Sequence, residues 1–510
     1  MSDATTALNS ARRGDDLSKL ADGGPVDLVV IGGGITGAGI ALDAASRGLS
    51  VVLAEKHDLG FGTSRWSSKL VHGGLRYLAS GNVGIARRSA VERGILMTRT
   101  APHLVRAMPQ LVPLLPGMGG GQRALVRIGF AAGDALRALA GTRSSVLPRS
   151  RRVDAERAAA MVPAVRRDGL DGGLLAYDGQ LIDDARLVVA VARTAASHGA
   201  KILTRVSTVS ATGNSVVLND ELTGQTLDVA ARAVINATGV WAGEVDTSIK
   251  LRPSRGTHLV FDSASFGNPT AALTIPIPGE INRFVFAMPE QLGRVYLGLT
   301  DEEAPGPIPD VPEPTSAEID FLLDTVNTAL RVRLTTADVT GAYAGLRPLI
   351  DTGEDGRTAD LSRDHAVLEA ASGMFSVVGG KLTEYRYMAE DVLDRAVAAR
   401  GLTAAPCRTR DLPLVGAGVA HRAGGPVPES LVARYGAESA EVIASARCAR
   451  PTDPVADGID VTRAEFEFAI THEGALDADD ILDRRTRIGL VAADRDRAAA
   501  AAEEMLAAAR

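Results

Sequence analysis

Residues 26–37 read VDLVVIGGGITG, an apolar run that ends in glycines at 32, 34 and 37. A second apolar run, SVVLAE over 50–55, closes on Glu55, 18 residues beyond Gly37. This is the pattern of a dinucleotide-binding βαβ unit. Gly32 permits a tight turn, Gly34 lets the backbone approach a pyrophosphate, and Gly37 allows close packing of helix on strand. The helix expected over 35–47 directs its N-terminal amides at the phosphates. Glu55 stands where a carboxylate accepts hydrogen bonds from a ribose hydroxyl. One glycine motif is weak evidence, but here the strand before it, the helix after it and the acid at the second strand's end agree.

Bulk properties narrow the class. The chain has 510 residues, 45% hydrophobic and 23% charged, enough for two to four globular domains. A net charge of −7 excludes a whole-surface nucleic-acid binder. Cys407 and Cys448 are the two cysteines; they offer neither metal-ligand spacing nor a disulfide framework, which points to a reducing cytoplasm. The first residues lack the apolar core of a signal peptide, and no uncharged apolar run approaches the roughly 20 residues of a membrane span.

The expected fold class is α/β plus α. Residues 1–25 read as a polar, loosely ordered lead-in. A discontinuous Rossmann-type domain covers 26–80, 170–245 and 340–400. A mainly helical insertion fills 81–169, with helices over 83–108 and 122–140, a Pro/Gly break over 109–121, and seven arginines in 143–167. Short strands over 246–339 (THLVF, ALTIPI, RFVFAMP, RVYLGLT) predict an antiparallel-sheet substrate domain. An acidic, proline-rich loop separates that sheet from a helix at 317–330. Residues 405–510 read as a separate helical domain.

Further segments carry chemistry. AVINATGVWAG, 233–243, returns a strand to a small-residue turn at Ala237, Thr238 and Gly239, as a two-pass FAD-binding domain does. GTSRWSSKLVHGGLRYL, 62–78, surrounds His72, Arg76 and Tyr77 with glycines and serines, a loop rich in backbone donors near a flavin ring. In VVGGKLTEYR a strand ends at Gly379-Gly380 and opens a helix, where amides and Lys381 face developing negative charge. Arg347, in AGLRPLI, joins Arg76 and Lys381 as a set of cations suited to a phosphate-bearing substrate. His72 and His258 are the two candidate bases, since imidazole titrates near neutrality.

These segments, with RGTHLVF, GLTD and ALDADDILDRRTRIGL, resemble the signature segments of FAD-dependent (aerobic) sn-glycerol-3-phosphate dehydrogenases, within the broad glycine/D-amino-acid oxidase superfamily. The resemblance implies oxidation of sn-glycerol 3-phosphate to dihydroxyacetone phosphate, with FAD as cofactor and a membrane quinone as electron acceptor. It implies catalytic roles for His258, His72 and Arg347, and substrate contacts from Arg76, Tyr77, His258, Arg347 and Lys381. FAD contacts are carried onto Gly32, Gly34, Ile35, Thr36, Gly37, Glu55 and Lys56, and onto Thr63, Ser64, Ser67, Ser68, Leu70, His72, Gly73 and Gly74. Later in the chain they fall on Val206, Ala237, Thr238, Gly239, Trp241, Gly380, Lys381, Leu382 and Thr383. The location implied is cytoplasmic, with peripheral contact to the inner face of the cell membrane through the arginine-bearing segment 122–167. Monomer and homodimer both stay open. Alternatives are an oxidase that reduces oxygen to peroxide with the same substrate, an amino-acid or amine oxidase on the same fold, and a flavoprotein without turnover. Arg65-Trp66 stands out where smaller residues are expected.

Overall fold

The computed structural model describes residues 6–74, 82–116, 119–277, 280, 283–351, 364–418 and 427–509. Its first sheet runs His365–Glu369, Phe375–Gly379, Thr226–Asn236, Val26–Ile31, Val51–Glu55, Lys201–Thr204. From Phe375–Gly379 onward its strands are parallel. Strand alternation divides the apolar residues between two faces. Leu28 and Val30 pack with helices Ile35–Ser46, Asp184–Ser197 and Tyr385–Arg400. Val29 and Ile31 pack against an antiparallel layer containing Val206, Val216 and Leu218.

The second sheet has ten strands, among them Leu251–Asp262, Arg294–Gly298, Phe284–Glu290 and Ala272–Pro276. Helix Ser316–Asn327, opened by a Thr315/Glu318 capping box, covers it and shares its apolar core. Strand Val339–Ile350 pairs along Leu251–Phe261, setting Ser254 opposite Arg347 and His258 opposite Tyr343. That register sets Arg347 and His258 on the same pair of strands. The C-terminal unit is helical as expected, with a hairpin of Pro454–Ala456 and Ile459–Thr462 added.

Several sequence expectations change. The lead-in contains a helix, Ser10–Ala21, capped by the Asn9 side chain. It is anchored by buried Arg13, which donates to the Thr204 carbonyl and pairs with Asp220. The helix expected over 83–108 stops early: Val83–Ile95 is helical, a π turn spans Leu96–Thr100, and Val105–Pro113 is a strand. Pro109 argued for a break, yet the strand pairs with Gly173–Leu181 throughout, while its other neighbour joins only beyond the proline, at Gln110 and Leu111. Segment 143–167 is mixed, with strand Arg151–Val153 and helix Ala155–Met161.

Candidate active site

The two sheets enclose a cavity of about 1170 Å³. That exceeds the roughly 300–1,000 Å³ of an ordinary small-molecule pocket, as a dinucleotide beside a second small molecule requires. At its floor, Gly32 has φ +105°, and a Cβ there would lie 2.8 Å from the Ala237 carbonyl oxygen. A Cβ at Gly37 would lie 1.9 Å from the Gly32 carbonyl oxygen, so Gly37 stands one layer behind the wall and holds helix to strand. Helix Ile35–Ser46 has no side-chain cap at Gly34; the Ile35 amide donates to Ser64 Oγ at 2.9 Å. Glu55 accepts the Gly33 amide on Oε2 (2.6 Å) and the His57 amide on Oε1 (2.8 Å). Burial holds its carboxyl above the usual range, and these two amides offset only part of that rise. Thr36, Lys56, Val206, Thr238, Gly239 and Trp241 line the same region, with Trp241 packed on Gly62.

The loop after Glu55 forms one side wall. Thr63 donates to the Leu346 carbonyl. Ser67 gives both its amide and its hydroxyl to Asp184, and Ser68 Oγ lies 2.9 Å from His258 Nε2. Leu70 lines the cavity from the short strand Leu70–Val71. His72 Nδ1 is 3.3 Å from Asp178, which also pairs with Arg93 at 2.6 Å. Gly73 stands behind the wall, its amide donating to Asp178 and its α-carbon under the Arg93 guanidinium. Gly74, at φ +82°, lines the cavity again. Arg76 and Tyr77 lie outside the described residues.

Opposite stand His258 and Arg347. His258 is 1% exposed and stacks on Tyr343, ring centroids 4.7 Å apart. Burial first, then the cations of Lys69 and Arg347, hold its imidazole well below the usual range, so it is neutral at pH 7. Arg347 donates to the Thr300 carbonyl (3.0 Å) and Ser254 Oγ (3.1 Å) and pairs with Asp301. Gly379 and Gly380 both have positive φ, and a Cβ on Gly380 would strike the Met388 sulfur at 2.5 Å. They deliver Lys381, Leu382 and Thr383 to the wall, where the turn Leu382–Glu384 leads into helix Tyr385–Arg400. The cradle thus consists of backbone that side chains could not occupy, bordered by donors, and it fits FAD.

Three features escape the sequence reading. Trp66 is accommodated because Gly345 leaves room for its Cβ, while Arg65 covers its ring at 4.2 Å and Tyr343 stacks at 5.6 Å. Buried Lys69 pairs with Asp184 at 2.7 Å directly behind the Ser67–Ser68 turn. An apolar arm of the cavity reaches Leu125, Ile128 and Phe130 of helix Gly120–Leu139, facing Phe284 and Phe286. Only the amphipathic spacing of that helix signalled the last.

Residues 27–386 match the family model of FAD dependent oxidoreductases, and residues 407–509 match the C-terminal domain of alpha-glycerophosphate oxidase. Glycerol-3-phosphate dehydrogenase 1 of Mycobacterium tuberculosis is 74% identical over 509 residues, 98% of this chain and 99% of that protein. The aerobic glycerol-3-phosphate dehydrogenase of Staphylococcus aureus is 36% identical over 81% of this chain and 75% of its own length. Among solved structures, the glycerol-3-phosphate dehydrogenase from Bacillus halodurans complexed with FAD superposes with a TM-score of 0.73 at 27% identity. That match covers 98% of this chain and 94% of the other.

Proposed function

The chain belongs to the FAD-dependent glycerol-3-phosphate dehydrogenase family, and from that premise we propose that it oxidises sn-glycerol 3-phosphate to dihydroxyacetone phosphate and delivers the electrons to a membrane quinone. It is an oxidoreductase, and its cofactor is FAD. The observation that carries the substrate is the convergence of neutral, buried His258 and a braced Arg347 on one cavity wall, with Lys381 at the turn nearby. When bound, FAD supplies the two-electron acceptor for the C2 hydride.

The protein's own groups then have separable tasks. Arg347, held by Thr300, Ser254 and Asp301, presents a preorganised guanidinium to the substrate's anionic oxygens. Lys381 adds a second cation. His258, kept neutral, accepts the C2 hydroxyl proton. His72 is the weaker candidate because its ring is tied to Asp178. The apolar arm toward Leu125 and Ile128 favours a quinone, whose ring and tail are apolar, as the acceptor. Its use would bring the protein to the inner face of the cell membrane.

Anaerobic mixing of the FAD-loaded protein with glycerol 3-phosphate tests the reading. The flavin absorbance should bleach and return on adding a short-chain quinone. Failure to bleach refutes the substrate. Rapid return with air and stoichiometric peroxide refutes the quinone and leaves an oxidase. His258→Asn should slow bleaching far more than His72→Asn.

A further inference from the structure

Behind the cavity wall lies a buried cluster of four charges. Lys69 is 1% exposed, and its backbone takes φ +56°, a left-handed conformation rare in non-glycine residues. Such strain persists where surrounding contacts over-determine it. Its ammonium donates to Asp184 (2.7 Å) and to the carbonyls of Arg65 and Ser67 (3.0 and 3.2 Å). It also lies 5.1 Å from the centre of the Tyr343 ring. Asp184, fully buried, takes the amide and hydroxyl of Ser67 as well. Beside it, Asp183 faces Arg487 at 3.5 Å, and Arg487, from the C-terminal unit, donates to the Arg65 carbonyl. Arg487 too has a positive φ, +61°. The contacts of Lys69, Asp184 and Arg487 meet on residues 65–69, the turn that sets Ser68 Oγ against His258 Nε2, while the Tyr343 hydroxyl ties the stacked ring back to the Ser67 carbonyl.

The geometry points to Lys69 and Asp184 as positioning residues for His258: the ion pair, braced from the C-terminal unit by Arg487, fixes the Ser68–His258 contact and sets the field in which His258 takes up its proton. This inference rests on His258 being the base. The other polar and charged groups at the imidazole are Tyr343, stacked on it from strand Val339–Ile350, and Arg347 of the same strand, which is committed to Asp301. Tyr296 stands behind Tyr343, and the Lys69 ammonium lies over both tyrosine rings, at 6.0 and 5.1 Å, so the ion pair also backs the ring on which His258 stacks. A paired cluster of no net charge leaves the residual effect on His258 to distance, and among these four charges it is the Lys69 cation that opposes protonation of the imidazole.

The experiment follows flavin reduction by glycerol 3-phosphate in stopped flow across pH, expressed per bound FAD. Lys69→Met removes the cation and bares Asp184, so the acidic limb of the rate should move up by about one pH unit or more. The double variant Lys69→Met/Asp184→Asn removes both charges, and its limb should fall between wild type and Lys69→Met. A role confined to folding lowers thermal stability or FAD content and leaves the limb in place; a limb at one pH in all three proteins overturns the proposal. Ser68→Ala supplies an arm that disturbs no buried charge. It should lower the reduction rate about tenfold or more, and a wild-type rate per bound FAD overturns the proposal even where the charge variants fail to fold. His258→Asn separates the two readings. An acidic limb that survives it refutes His258 as the base, whereas a limb that His258→Asn abolishes and Lys69→Met leaves unmoved refutes only the positioning role.

Discussion

In the proposed function, Arg347 carries the substrate's anionic oxygens on one side chain. Three neighbours orient it, and none belongs to the helical core, so its loss should spare the fold. Arg347→Ala should cut kcat/KM by about 10²–10⁴, the scale of two lost charge-assisted hydrogen bonds, with FAD content unchanged by absorbance. Equal loss of flavin and activity would mark it as structural instead. A second residue yields a pH prediction. Burial pushes the Glu290 carboxyl up to about 8 from an ordinary 4.5, while Gln180 donates to it. The folded chain therefore holds a proton that the unfolded chain releases, and stability falls as pH rises from about 4.5 to about 8. Glu290→Gln keeps the acceptor without titrating. Its thermal midpoint should vary less over that window and exceed wild type at pH 8, by a free energy on the order of 3 kcal/mol. A parallel pH profile would mean that nearby Arg106 keeps Glu290 ionised. Arg347 and His258 could be read from the sequence because each is a polar residue inside an apolar strand. Ser68–His258 and Lys69–Asp184 could not, because only the sheet register brings partners 190 and 115 positions apart together.

At the scale of elements, legibility followed periodicity. The βαβ unit, helix Asp184–Ser197 and the antiparallel strands announce themselves by their apolar runs and the turn residues that bound them, although both helices are buried almost all round, which the amphipathic spacing of 184–197 did not foretell. Two elements that did not were masked by composition. Strand Val105–Pro113 carries two prolines and an arginine, so its first residues read as the end of a helix and the rest as a Pro/Gly break. Helix Ser10–Ala21 has a polar sequence whose docking depends on Arg13 more than on apolar burial. That dependence is testable. Arg13→Ala leaves Asp220 buried without its cation and should destabilise the docked helix on the order of 3 kcal/mol. Limited trypsin digestion should then cut at Arg12 or Lys19 much faster than in wild type, before the rest of the chain is cleaved. Unchanged digestion would show that Leu8 and the Asn9 cap suffice.

For the whole molecule, the C-terminal unit is joined to the FAD domain by arginines that no local pattern reveals. Arg484 and Arg485 both clasp Asp58, three positions after Glu55, across more than 400 residues of sequence. The proposed acceptor adds a second long-range demand. Among the described residues no helix is long and apolar enough to cross a membrane, so a bilayer quinone must be met at a surface. Helix Gly120–Leu139 is suited to that contact. Ile128 and Leu139 are 66% and 72% exposed, the neighbouring Arg127 is exposed too, and the helix also walls the apolar arm of the cavity. Not every arginine nearby contributes. Arg137 is buried and donates to the Thr142 carbonyl, and Arg123 and Arg152 pair with Asp171. Those exposed at 143, 149, 151, 157 and 167 remain to meet anionic headgroups at about 1 kcal/mol each when close to the surface. The protein should float with vesicles rich in phosphatidylglycerol and separate from them as salt is raised. Ile128→Asp should weaken flotation at low salt and slow quinone reduction on vesicles, while bleaching by glycerol 3-phosphate proceeds at the wild-type rate. Flotation indifferent to lipid charge, or unaffected by Ile128→Asp, would remove this helix from the path to the acceptor.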